Sequence, residues 1–213
     1  MLLFFVFAWA PACADVIVIG DSIGVGLSLA SGAHRFAHNS VAIRGGDTLG
    51  QLANADKKSI VILSLGTNDA VGKIVGLEKS IDKLVQGIEE RGSRVFWMGP
   101  PCVFKPWNEN VMTLDRILEA RLKHSTISYI SVADPAICDR GLRAPDGVHF
   151  NMRGYITLWA RVAVRAGLPD RVRGTDGEIQ LERTRQKMKK LKRTARPTAA
   201  KPKVQARPAE DAK

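Results

Sequence analysis

Five short apolar runs bounded by turn residues, with stretches of helical periodicity between them, organise this chain. Residues 15–20, 40–44, 59–65, 94–99 and 128–132 are rich in Val, Ile, Leu and aromatic side chains and read as strands. The intervening segments repeat their apolar positions every three or four residues. Residues 77–91 place Leu77, Ile81, Leu84, Val85 and Ile88 on one face, and residues 110–123 do the same with Val111, Leu114, Ile117, Leu118 and Leu122. Residues 151–166 present Tyr155, Leu158, Trp159 and Val162, and a shorter helix over 47–54 opens on Asp47 as its N-cap. Strands that alternate with helices predict an α/β fold, a parallel sheet covered by helices on both faces. Ligands of such sheets bind beyond the carboxyl ends of the strands.

The pattern stops after Gly167-Leu168-Pro169. Residues 176–194 form at most a charged helix with a sparse apolar stripe. From Ala195 the chain is mostly Pro, Ala, Lys and Arg, a composition that cannot bury a core and reads as disordered. The organisation expected is therefore one domain over 15–168 followed by a basic tail over 169–213.

The 213 residues, 45% hydrophobic, suffice for one substantial core. The net charge of +11 suggests a nucleic-acid partner until it is located. Residues 168–213 hold 14 Lys/Arg against 6 Asp/Glu, whereas residues 1–167 hold 18 against 15. The basicity belongs to the tail and says little about the domain. The tail cluster from Lys187 to Arg193 suits contact with an anionic polymer or the cell envelope, or simple solvation. No aromatic residue interleaves with its charges, so no specific nucleic-acid partner is expected.

Residues 1–14 carry no charged side chain and end in Ala12-Cys13-Ala14, a small-x-small cleavage pattern directly before the first strand. The stretch is too short to span a bilayer and reads as a secretory signal peptide without the usual basic start. An extra buried helix or strand is the alternative. A secreted or periplasmic location would leave Cys102 and Cys138, both just past strand ends on one rim, where an exported protein can keep a disulfide. Their spacing matches no metal site.

Chemistry concentrates at the strand ends. Gly20-Asp21-Ser22 closes the first strand and sets a serine at the mouth of a helix, where backbone N–H groups favour developing negative charge. A serine hydroxyl needs a base to take its proton. Asp146-Gly147-Val148-His149 supplies a carboxylate and an imidazole three residues apart, so the carboxylate can fix the tautomer and stabilise the imidazolium. The backbone N–H of Ser22, that of Gly46 in Arg44-Gly45-Gly46-Asp47-Thr48, and the side-chain amide of Asn68 in Gly66-Thr67-Asn68-Asp69 make a three-donor oxyanion hole. One such donor is worth roughly 3–4 kcal/mol in a transition state. Taken singly, each has a plain alternative: an N-cap serine, an Asp-Gly turn before a helix, a Gly-Asn-Asp turn. Asp21, Asp47 and Asp69 read as loop braces, and His34, His38 and His124 as surface residues.

These blocks in this order resemble the SGNH hydrolases, also called the GDSL esterase/lipase family, and within it the compact bacterial thioesterase/lysophospholipase-like branch. The resemblance covers about residues 15–167 and rests on Gly20-Asp21-Ser22-Ile23 (Ile for the usual Leu), Gly45-Gly46-Asp47-Thr48, Gly66-Thr67-Asn68-Asp69 and Asp146-Gly147-Val148-His149. It implies a three-layer α/β/α sandwich with a five-stranded parallel sheet. It also implies hydrolysis without metal or cofactor through an acyl-serine: Ser22 as nucleophile, His149 as base, Asp146 as its partner, and Ser22, Gly46 and Asn68 as oxyanion donors, with Gly45 a close rival of Gly46. Phe150 stands where many members have proline, and lines the pocket or starts the last helix. Phe104 and Trp107 are further candidate pocket walls, with core packing or an exposed loop as the alternatives. The expected function is a serine esterase acting on a small ester or an acylated glycan, such as the acetyl esters of cell-envelope polysaccharide. Lysophospholipid or thioester substrates are the alternative within this chemistry. A non-catalytic glycan- or lipid-binding protein on the same fold is the alternative from another class.

Overall fold

The computed structural model describes residues 14–168. The expected signal peptide, all but Ala14 of it, and the basic tail with its helix over 176–194 lie outside the described residues. Five parallel strands, β1 (Val16–Gly20), β2 (His34–Arg35), β3 (Ile60–Ser64), β4 (Arg94–Met98) and β5 (Ser128–Ile130), form one sheet in the order β2-β1-β3-β4-β5.

Alternation along the strands divides the core into two layers. Val16, Val18, Ile60, Ile62, Phe96, Met98 and Ile130 point to one face of the sheet. There they bury against Ile23 and Leu27 of α1 (Ser22–Ser31) and Leu158, Trp159 and Val162 of α6 (Met152–Arg165). Ile17, Ile19, Val61, Leu63, Val95 and Trp97 point to the other face. They pack on α2 (Thr48–Ala53), α4 (Glu78–Arg91) and α5 (Asn108–Leu122) through Leu52, Ile81, Ile88, Val111, Leu114 and Leu118. A short α3 (Thr67–Ala70) follows β3. The apolar positions expected on the long helices are buried, Val85 and Ile117 only partly, as ~25 cal/mol per Å² of apolar area favours. The α/β three-layer sandwich read from the sequence is the architecture observed. Among the described residues no helix is long and apolar enough to cross a membrane.

One strand is not where the apolar pattern put it. Residues 40–44 are turns and irregular chain, and the edge strand is the exposed pair His34–Arg35, which pairs with Ile17 and Val18. Val41 and Ile43 are buried, at 9% and 6% exposure, so their alternation reports burial of one side of a loop. The backbone polar groups of that loop are taken by side chains beyond β3. Ile43 N–H and Arg44 N–H donate to the Asp69 carboxylate at 2.8 and 3.2 Å, and the Val41 carbonyl accepts from Asn68 Nδ2 at 2.8 Å.

The strand order reverses between β1 and β3, and a crevice opens beyond their carboxyl ends in such sheets. These two strands approach closely there. Gly20 has φ +111°, and a Cβ on it would fall 1.8 Å from the Ser64 carbonyl oxygen, so only glycine fits the end of β1.

Candidate active site

Asp21, not Ser22, caps α1. Its carboxylate oxygen Oδ1 accepts from Ile23 N–H at 3.0 Å, Gly24 N–H at 3.4 Å and Ser64 Oγ at 3.0 Å. The Ser22 hydroxyl is thereby released from capping and stands at the first helical position, beyond the end of β1. Burial, the largest influence on Asp21, raises its pKa to about 6 against the pull of those hydrogen bonds. The turn is bolted down by Gln51 of α2, whose amide accepts from Gly20 N–H at 2.6 Å and donates to Gly20 O at 3.2 Å.

The other partner comes from the far end of the chain. Arg143 and Phe150 form an isolated antiparallel bridge that closes a hairpin before α6. At its tip Asp146 Oδ1 accepts from Val148 N–H and His149 N–H, both at 2.9 Å. The same carboxylate accepts from His149 Nδ1–H through Oδ2 at 2.6 Å. Burial pushes the Asp146 pKa upward, but the hydrogen bonds from the His149 ring and the two backbone N–H groups outweigh it and hold it down to about 2. An ionised carboxylate only accepts, so the proton of neutral His149 sits on Nδ1 and its Nε2 lone pair faces Ser22 Oγ–H at 2.9 Å. The structure thus joins Ser22, His149 and Asp146, separated by up to 127 residues, in one hydrogen-bonded line.

The three expected oxyanion donors differ in what already engages them. The Ser22 N–H and Gly46 N–H have no hydrogen-bond partner among the described residues. Asn68 spends one amide hydrogen on Val41 O, which fixes the orientation of the group and leaves the second hydrogen free. Gly46 admits no side chain, because a Cβ would lie 2.2 Å from Ala42 O, whereas Gly45 faces open space at φ +76°. Asp69 ties the glycine loop to α3 and so keeps Gly46 and Asn68 in one frame. Burial raises the Asp69 pKa despite the hydrogen bonds it accepts.

Phe150 is 3% exposed, sandwiched between the Arg143 guanidinium and Tyr155, whose ring centroid lies 5.5 Å away. It is core rather than pocket wall, and Asn151 rather than Phe150 caps α6. Trp107 is half-buried against the core layer of α4 and α5, and Phe104 lies half-buried under Arg140, 4.4 Å from its ring centroid. Cys102 and Cys138 are bonded, with Cα atoms 5.7 Å apart, at the ends of the loops beside the hairpin. Gln51, Ser64 and Arg143 were not legible as site residues: they brace backbone, and no spacing marks them. No group of His, Cys, Asp or Glu among the described residues is placed to hold a metal ion.

Solved structures share this arrangement of elements. TesA superposes with a TM-score of 0.57 at 17% identity, over 71% of this chain and 97% of its own. A member of the lipolytic G-D-S-L family from Veillonella parvula gives 0.53 at 17%, over 71% and 97%. A catalytic mutant of the acetylxylan esterase Axe2 from Geobacillus stearothermophilus gives 0.55 at 14%, over 76% and 97%. The chain has the SGNH hydrolase fold. These neighbours are covered almost end to end, and the superpositions take in 71–76% of this chain. No family model and no curated protein matches the sequence. Likeness at this identity speaks for the fold, and what the site does must come from its own geometry.

Proposed function

We propose that this protein is a serine esterase that cleaves carboxylic esters through an acyl-Ser22 intermediate. The observation that carries the reading is the line of hydrogen bonds from Ser22 Oγ to His149 Nε2 at 2.9 Å and from His149 Nδ1 to Asp146 at 2.6 Å, on a serine freed from capping.

In the first half-reaction Ser22 Oγ bonds to the ester carbonyl carbon while its proton passes to His149 Nε2. The carbonyl π electrons move to the oxygen, where the N–H groups of Ser22 and Gly46 and the Asn68 amide receive the charge. The tetrahedral intermediate collapses, the alkoxide leaves with the proton from His149, and the acyl group stays on Ser22. Water then adds to the acyl carbon, giving its proton to His149, and the acid departs as that proton returns to Ser22 Oγ. Asp146 stays ionised throughout and stabilises the imidazolium.

For the substrate we propose an acylated carbohydrate, with acetyl as the acyl group. The His149 and Asp146 side chains are 39% and 48% exposed, so the site is open enough to meet an acyl group carried on a polymer. An acetylxylan esterase among the structures of like fold supports the same choice. The location proposed is outside the cytoplasm, in keeping with the Cys102–Cys138 disulfide. The test is turnover of p-nitrophenyl esters from acetate to octanoate, and release of acetate from acetylated xylan, by the wild type and Ser22→Ala. Acetyl-preferring turnover that vanishes with Ser22 is expected. Absence of hydrolysis by the folded wild type refutes the esterase, and preference for octanoate refutes the substrate.

A further inference from the structure

The hairpin that carries Asp146 and His149 is well tied within itself. Ala144 N–H donates to His149 O at 2.8 Å, Gly147 N–H to Ala144 O at 3.0 Å, and Asp146 Oδ1 takes the N–H groups of Val148 and His149. These bonds set its shape but not its place relative to Ser22, which stands on a different element. Placement comes from the loops next to it, through Phe104 N–H on Gly147 O at 2.8 Å and through Arg143.

Arg143 is 7% exposed and its planar head faces three ways. Nη2 donates to Cys102 O at 2.6 Å and to Ile137 O at 3.1 Å, and lies 3.3 Å from Cys102 Sγ. Those carbonyls belong to one cysteine of the disulfide and to the residue before the other. Nη1 donates to Val148 O at 3.2 Å, the carbonyl of the peptide that enters His149. The guanidinium also lies over the Phe150 ring, 3.6 Å from its centroid, on the far side of His149. One fork thus joins both ends of the disulfide to the residues that flank the histidine.

We infer that Arg143, seated on the Cys102–Cys138 bridge, is a positioning residue that holds His149 at hydrogen-bond distance from Ser22. The inference rests on the esterase reading. It goes beyond it in giving a role to a residue that touches neither substrate nor the reacting atoms. A purely stabilising role suits Arg143 poorly. Burial, its largest influence, pushes its pKa down to about 10, with nearby Tyr155 and Asp146 acting the other way. No carboxylate forms a salt bridge with it among the described residues, and its Nε has no partner. The desolvation of a buried cation offsets much of what its hydrogen bonds return. Lysine cannot replace it in kind, since a point-like ammonium neither spans carbonyls on both sides nor lies flat on a ring.

The test compares wild type, Arg143→Lys and Arg143→Met, all with the disulfide intact. It measures the folded fraction by near-UV circular dichroism, kcat and KM on p-nitrophenyl acetate, and the rate of Ser22 labelling by a fluorophosphonate. A misplaced base is expected to cost kcat about 100-fold in Arg143→Met and about 10-fold in Arg143→Lys per folded molecule, with KM within about twofold of wild type. Labelling should slow in parallel. Wild-type kcat per folded molecule in both variants, or a loss that only tracks the unfolded fraction, overturns the inference while the esterase reading stands. If Arg143→Met does not fold, Arg143→Lys decides by the same criterion. A folded wild type that neither turns over nor labels overturns the esterase reading and the inference with it.

Discussion

Replacing Asp21 by Asn is expected to stabilise the protein at pH 8 and to leave it unchanged near pH 4. The Asp21 side chain is fully buried, its Oδ2 has no hydrogen-bond partner, and burial raises its pKa from 3.8 to about 6. The sign follows from linkage. Below pH 4 the native and the unfolded carboxyl both hold the proton, and Asp21 contributes nothing to the pH dependence. Between 4 and 6 the native state keeps a proton that the unfolded chain has lost, so stability falls as pH rises. Above 6 the native state carries the buried charge in full. At 1.36 kcal/mol per pKa unit, the native state is penalised by about 3 kcal/mol at pH 8. Asparagine keeps an oxygen for Ile23, Gly24 and Ser64 and caps a helix as well as aspartate. The rise to about 6 already includes the hydrogen bonds that the charged carboxylate accepts, so a gain of about 3 kcal/mol at pH 8 is expected. Urea unfolding followed by fluorescence of the buried Trp97 and Trp159, at pH 4.5, 6 and 8, measures the difference between the two proteins. Contributions of Asp69 and Asp146 are common to both and cancel in that difference. Asp21→Asn less stable than wild type at pH 8, or a difference that does not change with pH, would refute the reasoning.

Asp146→Asn should lower kcat by about 10³-fold or more, because an amide opposite Nδ1 favours the tautomer whose Nε2 carries the proton and cannot accept from Ser22; steady-state kinetics on p-nitrophenyl acetate reads this. Asn68→Ala should cost about 10²–10³-fold in kcat with little change in KM, as expected of a donor used only in the transition state, and the same assay separates the two constants. Reducing Cys102–Cys138, which closes a loop of separation 36, should destabilise the fold by about 3–4 kcal/mol, read as a drop of about 10 °C in the thermal midpoint under a reductant.

The strands β1, β3 and β4 were legible because each is buried on both faces and therefore reads as an unbroken apolar run. The edge strand His34–Arg35 was not, because two exposed polar residues leave no hydrophobic signal, while Val41 and Ile43 imitate a strand by burying one side of a loop. The pairing of Asp146 with His149 was legible because a spacing of three in a turn brings the side chains together. That Asp21 rather than Ser22 caps α1 was not, since both residue types cap helices and only the folded geometry chooses between them. Gln51 and Arg143 escaped for a common reason: each acts on backbone carbonyl or amide groups far along the chain, and nothing local announces such a partner.

The most direct test of the account is to treat the folded protein with a fluorophosphonate and map the adduct by mass spectrometry, with His149→Ala alongside. An adduct on Ser22 in the wild type that is lost in His149→Ala is the predicted result, since phosphonylation requires a serine activated by its base. No adduct on Ser22 in folded protein, or one of equal yield without His149, would contradict it.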